Sequence, residues 1–204
     1  IAQMQEIGLV PGGANGSWTQ AVPMMRSEVK SPVTMTFSTP KTVLTLDQGV
    51  SVSVDTATAL TNISATDVPV VFVGFGANAP EQDWDDYGDI DLTDKLVIYL
   101  VNDPDFAAQP DEPVAGRFGN RRMTYYGRWA YKFDEAARRV AFGALVIHET
   151  EAACYDWSVA AAGAGENVSL ANKDPKALPV KLQGWLHNDA AHKLLATAGH
   201  DLDA

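Results

Sequence analysis

The 204-residue sequence contains one cysteine, Cys154, so it holds no internal disulfide and no cysteine-rich zinc site. It also lacks an excess of positive charge: 15 Lys and Arg stand against 26 Asp and Glu, a net charge of −11. Nucleic-acid phosphates and anionic membrane surfaces both call for a basic footprint, so the composition argues against both as partners. Long apolar runs are missing as well. The longest, residues 68–75, falls far short of the ~20 residues that a membrane helix needs, which argues against membrane insertion. No G-x-S-x-G elbow occurs and Cys154 has no histidine beside it in sequence, so nucleophilic catalysis has no candidate. The first residues, Ile1 to Glu6, carry neither a basic n-region nor an apolar h-region, and the missing initiator Met leads us to expect that a piece was removed upstream. What is present is ordinary globular material, 46% hydrophobic and 20% charged. A chain of this length buries about 70% of its unfolded surface, enough for one good core.

Residues 1–10 read as the last turns of a helix with Ile1, Met4 and Ile7 on one face, stopped by Pro11-Gly12-Gly13. A short extended piece is expected over 18–25. Residues 33–37, 42–46 and 50–54 alternate apolar with Thr, Ser or Asp, which is strand grammar joined by short turns. Residues 70–73 and 96–101 are nearly continuous aliphatic runs, as in strands buried on both faces. The spacing of Trp129, Phe133, Ala136, Ala137 and Val140 predicts a helix over 128–142 ending at Gly143, followed by a buried strand at 144–147. Residues 96–147 therefore form a strand–helix–strand unit. A last strand is expected over 180–185 and a last helix over 188–198, ended by Gly199.

Several constellations bear on chemistry. Gly74-Phe75-Gly76-Ala77-Asn78-Ala79 matches a dinucleotide-binding pattern, but a polar loop follows where a helix must start, so these glycines read as turn residues. Seven acids (Glu81, Asp83, Asp85, Asp86, Asp89, Asp91 and Asp94) lie within fourteen residues. Oxygen ligands suit calcium, yet the ligand pattern of an EF-hand is broken, and a solvated turn anchored by Trp84 and Tyr87 competes with it. His148-Glu149 opens like a zinc-protease helix without its second histidine. His187-Asn188-Asp189 with His192 could offer zinc ligands, or simply a helix cap and a surface histidine. An independent metal-binding protein or hydrolase built on His187, Asp189 and His192, or on calcium in the 81–94 loop, is thus one reading of the chain. From Arg117 to Arg139 seven bases face two acids, a net +5 interleaved with Tyr125, Tyr126, Trp129 and Tyr131. Such a patch suits contact with a partner or a peptide carboxylate, or neutralises the acidic loop, and the two roles can coexist.

Val70-Val71-Phe72-Val73-Gly74-Phe75-Gly76 with Trp84-Asp85-Asp86-Tyr87, Leu100-Val101-Asn102-Asp103-Pro104-Asp105-Phe106, Met123-Thr124-Tyr125-Tyr126-Gly127-Arg128-Trp129 and Ala144-Leu145-Val146-Ile147-His148-Glu149-Thr150 together resemble one family. It is the protease-associated (PA) domain inserted into bacterial zinc aminopeptidases of the M-twenty-eight type, relatives of the transferrin receptor and glutamate carboxypeptidase. Residues 1–25, with Gly16-Ser17-Trp18-Thr19-Gln20-Ala21-Val22-Pro23, resemble the peptidase-domain stretch before that insertion, which leaves 26–204 as the PA domain. The resemblance implies an α+β fold in which β-sheets form a sandwich or open barrel with two or three flanking helices, in the swivelling β/β/α manner. It implies a non-catalytic lid or substrate- and partner-binding module beside the active site of a zinc metallo-aminopeptidase. Zinc would belong to the parent's catalytic domain, with no cofactor and no activity in this piece. The partners would be the missing peptidase domain of the same chain and a peptide substrate, in the periplasm or outside the cell. The contact residues would be Arg117, Arg121, Arg122, Tyr125, Tyr126, Arg128 and Trp129. Sequons at Asn15, Asn62 and Asn167 are accidental in a bacterial protein.

Overall fold

The computed structural model describes residues 1–30, 33–163, 165–171 and 178–203. Its elements in chain order are α1 (Ala2–Glu6), β1 (Met24–Glu28), β2 (Met35–Ser38), β3 (Val43–Leu46), β4 (Val52–Asp55), β5 (Val70–Phe72), β6 (Asn78–Ala79), β7 (Trp84–Asp85), β8 (Leu96–Leu100), α2 (Trp129–Arg138), β9 (Gly143–His148), α3 (Thr150–Ala153), α4 (Trp157–Ala162), β10 (Glu166–Leu170), β11 (Leu182–His187) and α5 (Asn188–Ala198). The fold is mixed α and β, with four sheets and five α-helices among the described residues.

The aliphatic runs make the centre. Five strands pair in the order β4-β11-β9-β8-β5, and all neighbours are parallel except the antiparallel β4–β11 edge. Because successive side chains on a strand point to opposite faces, each run supplies two cores at once. Val97, Tyr99, Ala144, Val146 and Trp185 face α2, where Phe133 and Ala136 pack on them. Leu96, Ile98, Leu145, Ile147, Leu186, Val52 and Val54 face the other way, against Ala190, Ala191 and Leu194 of α5 and Phe37 and Leu46 of the β2–β3 hairpin. β1 and β10 form a separate antiparallel ribbon.

Most expected elements are present, with shifted ends. The N-terminal helix is a single turn or so, Ala2–Glu6, and the extended piece expected at 18–25 appears as β1, further on. Among the described residues none before Phe37 is fully buried. α2 stops at Arg138 instead of reaching 142. Val140 turns left-handed (φ 59°), and the Val140 and Ala141 amides return to the Ala137 and Ala136 carbonyls. Gly143 is therefore not the helix terminator but the first residue of β9, where a Cβ would sit 2.8 Å from the Leu182 carbonyl oxygen. The last strand starts and ends two residues later than expected, while α5 matches.

Candidate functional site

Four parallel strands, β5, β8, β9 and β11, end on one edge of the sheet. Ligands in open parallel sheets gather at such carboxyl edges. Here that edge holds the Gly74–Gly76 turn after β5, the 102–128 loop after β8, His148 and α3 after β9, and the start of α5 after β11. Because α2 returns the chain from β8 to β9, its first turn, Arg128 to Lys132, lies at the same edge.

The 102–128 loop has no periodicity, yet it is tightly fixed by polar side chains. Asp103 accepts from the Thr124 amide (2.6 Å) and hydroxyl (2.7 Å), and Asp105 Oδ2 accepts from the amides of Phe118 (2.9 Å) and Asn120 (2.8 Å). The Asn102 side-chain amide donates to the Ala152 carbonyl at 2.7 Å, which ties the loop to α3. Gly127 closes over Asp103 so tightly that a Cβ would lie 2.9 Å from the carboxyl carbon.

Lys132 is fully buried and donates to three carbonyls, those of Phe75 (2.6 Å), Asn102 (3.1 Å) and Tyr126 (3.1 Å). Burial pushes this ammonium down to about 7, while Asp103 and Asp86 hold it up. Three acceptors need three N–H donors, which only the charged form supplies, so the geometry fits the ammonium. Burial in turn pushes the Asp103 carboxyl up, opposed by its bonds to Thr124 and by Lys132.

The expected contact residues divide into groups. Arg117 folds onto the acidic loop: its side chain donates to the Pro113 (3.0 Å) and Gln82 (3.1 Å) carbonyls and covers the Trp84 ring at 5.8 Å. The Tyr126 hydroxyl donates to Glu81 at 2.7 Å, inside a run of edge-to-face rings formed with Phe118, Tyr125 and Tyr131. Arg121 pairs with Glu151 of α3 and stacks over Phe106. Arg122 and Tyr125 are exposed. Arg128 and Trp129 border a cleft of about 160 Å³ whose other walls are Val101, Met123, Ala130, Ala153 and Tyr155. No side chain caps α2 and no acid occupies its first turn, so backbone N–H groups and one guanidinium meet apolar walls there. Lys132, counted in the basic patch by sequence, is buried and belongs to the loop framework instead.

The other constellations are not assembled into sites. Gly74 and Gly76 turn left-handed, at φ 65° and 62°, and only a three-residue 3-10 turn at Pro80–Gln82 follows. Three of the seven acids of the 81–94 loop accept bonds from backbone or side-chain donors nearby in sequence. Asp86 accepts from the Ala77 amide and the Trp84 indole, Asp85 from the Tyr87 amide, and Asp91 from the Thr93 amide. His148 ends β9, and Glu149 caps α3 through the Glu151 and Ala152 amides. His187 Nδ1 accepts from the Asp189 amide at the start of α5, while His192 stands 3.8 Å from Asp203. Among the described residues no three His, Cys, Asp or Glu side chains converge to hold a metal.

Sequence reasoning gave Asp103 and Asp105 no role of their own, placed Lys132 in the basic patch and read His148 only as half of a zinc motif. Lys132 had a readable signal: it lies on the apolar stripe of α2, three residues after Trp129 and four before Ala136, where a lysine has no business unless paired. No protein-family model matches the chain, and no curated protein or solved structure matches it either.

Proposed function

We propose that this chain is a non-catalytic protease-associated domain of a zinc-dependent aminopeptidase, acting as a lid or a peptide-binding module beside an active site. The observation that carries this reading is the Arg128–Trp129 cleft at the sheet's carboxyl edge. A guanidinium and an uncapped helix start suit a carboxylate, and Val101, Met123 and Ala153 suit the apolar part of one residue. The patch offers contact groups and no nucleophile–base pair, which is the inventory of a binding surface. In this reading residues 1–25 belong with the peptidase domain, 26–204 form the inserted domain, and zinc sits in the catalytic domain of the parent. The sandwich or open-barrel form of the PA fold, with swivelling β/β/α layers, and a periplasmic or extracellular home belong to the same proposal.

The test is an NMR titration of the chain with a short apolar peptide carrying a free C-terminal carboxylate, and with its C-terminal amide. We expect saturable shifts at Arg128, Trp129 and Ala130 for the acid, weaker binding of the amide by about tenfold, and loss of the difference in Arg128→Glu. Equal binding of acid and amide, or shifts that ignore the charge reversal, would sink the reading.

A further inference from the structure

Residues 149–163, which carry α3 and α4, are lightly attached. Only Ala152 and Ala153 are buried in that stretch, and α4 buries none of its residues. Its ties are the bond from Asn102 to the Ala152 carbonyl, a 3.3 Å bond from the Trp157 indole to the Gly49 carbonyl, and the exposed Arg121–Glu151 pair. The remaining attachment is apolar: Ala152, Ala153 and Ala160 pack on the core beneath α2, Tyr155 rests on His148 and Trp185, and Trp157 lies between His148 and, at 5.0 Å, His187.

His148 is 2% exposed. Its ring lies 5.4 Å from that of Tyr155, 5.6 Å from Trp157 and 5.5 Å from Trp185. Nε2 is buried and has no hydrogen-bond partner. A neutral imidazole tolerates this cage. Protonation would place a second N–H and a full charge among rings that offer it no acceptor, and cation–π attraction cannot replace one. Relief comes from lifting the part of the cage that is least attached, which is the segment bearing Tyr155 and Trp157.

We infer that His148 is an acid-released latch: neutral, it holds the 149–163 segment against the sheet edge, and protonated, it lets that segment swing away from the cleft. Ala153 and Tyr155 are cleft walls, so release opens the cleft beside Arg128 and Trp129.

The neighbouring groups set the direction. Burial and His187, its register partner on β11, lower the His148 proton affinity, and the Tyr155 carbonyl and Glu149 oppose them. Glu149 is occupied with capping α3. The Tyr155 phenol, from the segment itself, is pushed up to about 12 by burial and stays neutral. Glu151, Cys154 and Asp156 of the segment are exposed, and α2 approaches through the uncharged Trp129 ring against Trp185. The closed form therefore binds fewer protons than the open one. Closure is complete at neutral pH and weakens as pH falls below the ordinary histidine value, by tenfold for each pH unit separating the two affinities, until the closed form itself titrates.

The latch stands apart from the peptide-binding reading, because its readout needs no ligand. Hydrogen exchange of the purified chain, corrected for intrinsic rates, is compared at pH 7.5 and 5 by mass spectrometry. We expect protection of peptides from 149–163 to fall several-fold at pH 5 while β8 and α2 peptides keep theirs. His148→Phe, and His148→Gln if the former folds poorly, should erase the pH dependence, whereas His187→Gln, which removes the other histidine ring against Trp157, should retain it. A wild-type segment insensitive to pH, a loss shared by β8 and α2, or a pH response that survives in the His148 variants would each overturn the latch.

Discussion

At the scale of one residue, the end of α2 stands out. Val140 adopts φ 59°, a conformation in which the Cβ crowds the following carbonyl and which β-branched residues seldom take. It is 62% exposed, so its side chain returns little burial for that strain. The helix ends there because Gly143 is committed to β9 and the chain must reverse within four residues of Arg138. Glycine at 140 would remove a cost of roughly 1–2 kcal/mol, offset in part by the extra freedom of glycine in the unfolded chain. Val140→Gly should therefore raise stability by about 1 kcal/mol. In urea unfolding its midpoint should move up at an unchanged slope, while Val140→Ala, which keeps the Cβ and loses only the branching, moves up less. A glycine variant no more stable than the alanine one would remove strain from the account of this helix end.

At the scale of elements, the β8–α2–β9 unit was legible because its apolar residues repeat at the period of their own structure. β10 was not. Glu166–Leu170 alternates exposed with half-buried residues and gains its meaning from β1, a partner far away in sequence. The 102–128 loop has no periodicity to read, since what orders it is a set of polar side chains whose partners lie far along the loop or on other elements. Lys132 is the centre of that set, binding the turn after β5, the start of the loop and its end through three carbonyls. Removing the ammonium leaves those acceptors buried and unpaired, so Lys132→Met should cost about 3–5 kcal/mol in stability. Lys132→Ala should lose as much, but leaves space for a small cation. Its melting temperature should rise in methylammonium chloride more than in sodium chloride at equal ionic strength. Equal melting of wild type and Lys132→Met would show that the three-carbonyl cradle does not hold these loops together.

Across the whole molecule, the two-sided sheet followed from the aliphatic runs, but the way the β1–β10 ribbon joins it did not, because the joint is polar. Asp55, at the end of β4, accepts from the Gln183 side chain of β11 (3.0 Å) and from the Asn167 side chain of β10 (2.9 Å), both on Oδ1. The ribbon is further tied by the Ser27 hydroxyl to the Thr56 carbonyl. Nothing in the spacing of Asp55, Asn167 and Gln183 predicts that they meet, since each belongs to a different pattern along the chain. Burial raises the Asp55 carboxyl from 3.8 to about 6, against the pull of its two amide donors. The folded state thus binds a proton that the unfolded state has already released. Stability is greatest below the ordinary aspartate value, falls as pH rises through the interval up to about 6, and is level above it. A shift of that size corresponds to about 2–3 kcal/mol lost at neutral pH, before solvent around this half-buried group reduces it. Asp55→Asn keeps an oxygen for both donors and carries no charge. It should be more stable than wild type by about 1–2 kcal/mol at pH 7.5, equal to it near pH 4, and flat in between as far as this site is concerned. Urea unfolding at a series of pH values measures this directly. If the variant is the less stable one at pH 7.5, the carboxylate is charged in the folded joint, and the ribbon is held to the sheet by charge-assisted bonds rather than by a neutral carboxyl group.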